Sequence, residues 1–175
     1  RWYKMASELI VQTLKGPTSG ANANKVIIPS GQTLTAPGHV IQVVHESNPG
    51  GVFSSNSQLW VSTGLTATIT PTSTNSKIIV TVAARVSRPA VAGEAPRLKV
   101  TRGGTELIGS ANIFYSTSSF DYSGSHATFV LEDSPNTTSA TTYTLEFRTR
   151  SGNTCEANAG SSQVPDTLSL MEIAG

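Results

Sequence analysis

The chain has 175 residues, 12 Lys plus Arg against 11 Asp plus Glu, a formal net charge of +1 and only 13% charged residues. That length fits one compact domain with a short appendage, and the near-neutral charge without a basic block excludes the phosphate-neutralising footprint of a nucleic-acid binder. A single Cys excludes an internal disulfide and a thiolate zinc site, while 23 Ser and 23 Thr tilt the chain toward strands and turns.

Residues 1–37 read as an arm, different in kind from the rest of the chain. Arg1 to Lys4 precede Met5 and carry no weight in the fold, and residues 1–10 lack the apolar centre of a signal peptide. Residues 8–14 and 25–28 look like short strands joined by the small-residue run 16–24, which is too short to bury a core of its own. One reading is a disordered tail. The preferred one is an attachment or strand-exchange arm that orders against another chain, because Leu9, Ile10, Val11, Leu14, Val26, Ile27 and Ile28 are too apolar for a free tail.

From residue 38 onward the dominant period is two, which puts alternate side chains on opposite faces of a strand. Residues 40–44 are apolar on both faces apart from Gln42, which predicts a strand covered on both sides. Leu65, Ala67 and Ile69 alternate weakly, and 71–76 is a turn rich in Pro, Ser, Thr and Asn. Residues 77–86 predict a core strand with Ile78, Val80, Val82, Ala84 and Val86 inward. Residues 97–108 predict a hairpin in which Gly103 and Gly104 supply the positive φ angles of a two-residue turn. Ala127, Phe129 and Leu131 mark another short strand, and 133–140 is a second long turn. Residues 141–150 carry the cleanest alternation, with Tyr143, Leu145, Phe147 and Thr149 inward, and Ser169, Met171 and Ile173 mark a last strand. Seven or eight such strands without helical spacers predict an all-β fold, an antiparallel β-sandwich or jelly roll over residues 38–175. Its uncharged, Thr-rich edges need covering, and oligomerisation is the simplest cover.

The chemistry-bearing residues offer little for catalysis. His39, His45 and His126 are dispersed, with the nearest pair six residues apart on one predicted strand face, so no metal set is expected. The motifs of serine hydrolases, zinc proteases and phosphate loops are absent, and no cofactor is implied. Glycoside hydrolysis needs two facing carboxylates. The candidates Glu94, Asp121, Glu132 and Asp133 fall in turns or at strand ends, and they read as solubilising residues. Cys155 reads as a passive thiol, and Asn136-Thr137-Thr138 as a coincidental glycosylation match. One cluster stands out: Phe114, Tyr115, Phe120 and Tyr122 lie within nine positions beside Asp121, in a Ser-, Thr- and Gly-rich segment 112–126. Rings that stack on sugar faces, flanked by hydroxyls and a carboxylate, form a ligand surface, whereas rings that anchor a long loop onto the sandwich give the same composition.

Four stretches carry a resemblance. The run VSTGLTATITPTSTNSKIIV at 61–80 resembles a motif of small virion proteins of tailed bacteriophages. LEDSPNTTSATTY at 131–143 resembles that family's turn between its late strands, LSLMEIAG at 168–175 its last strand, and MASELIV at 5–11 its opening. The resemblance implies a non-enzymatic structural protein of the virion, assembled in the cytoplasm of the bacterial host. It implies a homotrimer with an N-terminal arm that attaches to other virion proteins and a β domain that projects outward. It leaves two roles open: a tail-fibre component whose outer loops bind a host polysaccharide or protein, and a head-decoration protein that cements the capsid. Neither role calls for nucleic acid, membrane insertion or a cofactor. No catalytic residue carries over, because the matching stretches are strands and turns.

Overall fold

The computed structural model describes residues 17–21, 23, 26–27, 36–48, 51–109, 123–157 and 165–175. The chain divides into two units, Arg1–Thr35 and Ala36–Gly175. In the first, a turn around Gly20 (φ +86°) is closed by the Ala23 amide donating to the Gly20 carbonyl. Val26 and Ile27 are exposed and lie outside any strand, so the short strand expected at 25–28 does not form at its described positions.

The second unit contains only strands, turns and bends among its described residues. In chain order these are β1 (Val40–Asn48), β2 (Phe53–Ser55), β3 (Val61–Ile69), β4 (Lys77–Arg88) and β5 (Pro96–Arg102), followed by β6 (Thr105–Gly109), β7 (Ser123–Asp133), β8 (Thr141–Thr149), β9 (Cys155–Ala157) and β10 (Asp166–Ile173). All their pairings are antiparallel. In the first sheet β1 pairs with β10 and β10 with β4, whose other edge takes β7. β9 continues the line of β10 along β4, opposite Val86 and Ser87, and β2 continues the line of β1 along β9. This sheet therefore consists of four ribbons, two of them interrupted. The second sheet has the order β3-β8-β5-β6. Only β5 to β6 is a hairpin within one sheet, because the other connections either cross between sheets or continue a ribbon. Two four-ribbon sheets wound in this way are a jelly roll.

Alternation explains the layers. On β4, Ile78, Val80, Val82, Ala84 and Val86 are buried, and Tyr143, Leu145 and Phe147 of β8 face them from the second sheet in one continuous cluster. The β5–β6 hairpin turns on Gly103 (φ +52°) and Gly104 (φ +86°), two successive left-handed conformations that residues with a Cβ rarely adopt although the space around both is open. Two strand readings need correction. Residues 40–44 belong to an edge strand, with Val40 and Val43 exposed, because β1 has β10 on one side only and an irregular register at Val40/Gln42. On β10 the buried face is Leu168, Leu170 and Glu172, and Met171 points outward, since the strand pairs with β4 through the opposite parity.

Phe147 is fully buried and meets Phe53 edge to face, with ring centroids 5.9 Å apart. Phe147→Ala is expected to destabilise the domain by about 3–5 kcal/mol in urea unfolding, through lost transfer energy and an unfilled cavity. A loss below about 1 kcal/mol would show that this face is not the core.

Candidate functional site

The connections β2–β3, β4–β5, β6–β7 and β8–β9 belong to one end of the sandwich. A buried carboxylate holds two of them together. Glu94, in the β4–β5 connection, is fully buried and accepts backbone N–H groups from Ala95 (2.9 Å), Arg150 (2.8 Å), Ser151 (3.0 Å) and Asn153 (2.8 Å). Burial raises its carboxyl, but the four backbone donors outweigh burial and hold it below its ordinary value of 4.5. The Thr149 amide donates to the Ser57 carbonyl, which ties the β2–β3 connection to the same end. Beneath it lies Cys155, whose thiol is pushed up to about 12 by burial and by the Glu94 charge. That thiol is inert at neutral pH.

Around this rigid floor the described surface is apolar in places. Leu59 is 78% exposed, and Val52 and Val91 are exposed as well. Trp60 packs against two cations of the second sheet, with Arg148 at 4.6 Å and Lys99 at 4.9 Å from the ring centroid. The β6–β7 connection runs from Gly109 to Ser123, which sits opposite Arg88 at the end of β4. The candidate residues Phe114, Tyr115, Phe120, Asp121 and Tyr122 lie outside the described residues, as do Leu9, Ile10, Val11, Leu14 and Ile28. The segment expected to be loop through His126 is strand from Ser123 onward, because β7 pairs with β4 from Ile78 to Arg88.

The other carboxylates are committed elsewhere. Asp133 and Glu132 point to opposite faces of β7, as adjacent strand residues must. Asp133 accepts from Arg102 Nη1, which lies 2.7 Å from each carboxylate oxygen, and from the buried Tyr143 hydroxyl at 2.7 Å. It joins the two sheets, and burial followed by the Asp133 carboxylate raises the Tyr143 hydroxyl above its ordinary range. Glu132 pairs with Lys77 on the outer face. Glu172, also fully buried, accepts from Gln42 (2.6 Å) and from the Thr72 amide (2.7 Å) and hydroxyl (2.8 Å). Burial raises Glu172 too, and the polar groups of Ser76, Gln42 and Thr72 around it bring it below 4.5. Glu94 and Asp133 are thus structural anchors and not the solubilising turn residues their positions implied. Spacing alone missed them, because a carboxylate beside a turn reads as exposed until the partners that surround it are known.

The described histidines do not converge. His39 precedes β1 and is held to the Ala36 carbonyl, so it does not share a strand face with His45, whose Nδ1 lies 2.7 Å from Ser169 Oγ. Among the described residues no group of three or more His, Cys, Asp and Glu is arranged to hold a metal. A polar cleft of about 390 Å³ opens between edge strands β1 and β3, lined by Glu46, Asn48, Thr63, Gly64 and Thr66 among others. It offers hydrogen-bonding groups but no aromatic face. Its sequence signal was Gly64, a glycine inside an alternating run, here at φ +85° in a bulge.

No protein-family model matches the sequence, and no curated protein matches it. Solved structures similar to the chain include the VP2 subviral particle of infectious bursal disease virus, at 16% identity and a TM-score of 0.48, covering 91% of this chain and 41% of that one. The T13 particle of the same virus matches at 13% identity and a TM-score of 0.45, covering 88% of this chain and 41% of that one. Its Gt strain matches at 16% identity and a TM-score of 0.41, covering 91% of this chain and 46% of that one. The chain spans less than half the length of these proteins. The jelly-roll assignment rests on the strand order.

Glu94 and Glu172 are lowered in the folded chain, so they stabilise it above about pH 4.5, and that contribution is lost as pH falls through their folded values. Urea unfolding is expected to show stability declining as the pH is lowered below about 5. Glu94→Gln is expected to cost roughly 1–3 kcal/mol at neutral pH, since its amide opposes backbone donors, and to flatten that decline. An unchanged slope would show that Glu94 is not the group titrating.

Proposed function

We propose that this protein is a non-enzymatic structural component of a virion, a tail-fibre-type subunit that contributes to recognition of the host surface. The observation that carries the reading is the construction of one end of the jelly roll. Buried hydrogen bonds to Glu94 fix the β4–β5 and β8–β9 connections there, exposed Leu59 and Val91 stand at that end, and the sequence places four aromatic residues in the β6–β7 connection. A rigid scaffold that presents variable, aromatic-rich connections is the usual arrangement of a binding end. The bacteriophage resemblance of residues 61–80, 131–143 and 168–175 supports the virion setting. In this reading residues 1–37 attach the domain to other virion proteins, and the subunit works as a homotrimer.

The chemistry of the acids and the thiol fits a structural role. The carboxylates Glu94, Glu132 and Asp133 each have a structural partner, and the Cys155 thiol stays protonated. The exposed apolar pair Val26 and Ile27 favours a second reading, head decoration, in which the arm clamps capsid subunits and the loop end is passive.

Immunogold labelling of particles separates the two, with label on the tail expected for the first and over the head for the second. Tyr115→Ala with Tyr122→Ala is expected to abolish binding to host cells while leaving the urea midpoint nearly unchanged. A double variant that folds and still binds overturns the recognition end. One that unfolds shows that the rings are core anchors.

A further inference from the structure

Three of the four ribbons at the open edges of the sheets carry a feature that discourages pairing with another chain. β1 is irregular between Val40 and Gln42, and its continuation β2 is three residues long. β3 is bulged between Ser62 and Thr66. β6 is five residues long, and its register to β5 shifts. Short, bulged or irregular edges spoil the regular row of N–H and C=O groups that an edge otherwise presents. β7 has no such device. It pairs with β4 in unbroken register from Asp133 opposite Ile78 to Ser123 opposite Arg88. It contains no Pro, Lys or Arg, and among the described residues no strand pairs with its other side. On its outward row Val130 is 65% exposed.

We propose that β7 is a self-association edge, at which two copies of this chain pair their β7 strands antiparallel about a two-fold axis at Phe129. The order of residues along the strand favours a second copy as the occupant. In this register His126 faces the partner's Glu132, Thr128 faces the partner's Val130, and Ala127 faces the partner's Leu131. The acidic side chain of the outward row, which already pairs with Lys77 of its own sheet, then also meets an imidazole able to donate to it, and apolar residues of the inward row meet apolar residues. Shifting the centre by one residue in either direction removes the His126–Glu132 match. Asp133 raises no conflict, because its carboxylate is already bound by Arg102 and Tyr143. The contact merges two first sheets into one and is isologous, each strand giving and receiving the same bonds. It is independent of the virion role and is compatible with a three-fold assembly made through the arm.

The test uses the full chain with one new thiol at a time, Thr128→Cys in one preparation and Val130→Cys in the other. Both positions are exposed, so neither change disturbs the core, and the native Cys155 is buried and does not compete. Under mild oxidation the mixture is expected to give at least about tenfold more covalent dimer than either preparation alone, because only the mixture places two thiols opposite each other. No excess in the mixture overturns the proposed register. In parallel, Val130→Lys is expected to halve the mass seen by light scattering, since a charge on an edge blocks strand addition. An unchanged mass, or a wild-type mass of 18.3 kDa at every concentration, overturns the two-fold contact.

Discussion

Two sheets that exchange few hydrogen bonds with each other are held face to face by their apolar sides, and the rest of this structure depends on that layer being continuous. β4 and β8 supply its centre. Their buried residues alternate without a break, Ile78 to Val86 on one side and Tyr143 to Phe147 on the other. No disulfide reinforces the layer, since the chain has one cysteine and that residue is part of the packing. The domain is therefore stabilised chiefly by burial of this layer.

An apolar layer alone leaves the two ends of a sandwich ragged, and here buried carboxylates close them. Glu94 gathers backbone amides from the β8–β9 connection at one end. Elsewhere Glu172 holds Gln42 and Thr72, and Asp133 links Arg102 and Tyr143 across the sheets. A buried charge is costly unless nearly all its acceptor sites are filled. These are filled by groups that the connections would otherwise leave unsatisfied, so the same interactions stabilise the fold and fix the loops.

The same physics sets the chemical character of the molecule. A carboxylate saturated by backbone donors is held ionised and has no free lone pair to offer a substrate, and a thiol pushed up by burial is a poor nucleophile. What the described surface offers instead is area: exposed Leu59 and Val91 at the loop end, a polar cleft between β1 and β3, and a long regular edge at β7.

The sequence by itself determined the all-β class and the longer strands but not the three-residue β2 and β9, and it determined the inward faces of β4 and β8 and the β5–β6 hairpin, because each is encoded locally, by alternation of side chains or by two adjacent glycines. It also marked the aromatic segment 114–122 as the place where a ligand surface is to be sought. Tertiary structure alone decided what depends on which strand lies beside which. Val40 to Val44 looks like a covered strand until β10 is found on one side only, and the inward face of β10 follows from its register with β4. Glu94 and Asp133 look like surface acids because their partners, Arg150 to Asn153 and Arg102 with Tyr143, are distant in the chain or hidden in the alternation of another strand. Local pattern fixes which face of a strand is apolar, but long-range pairing fixes what that face meets, and the energy of a buried charge resides entirely in the second.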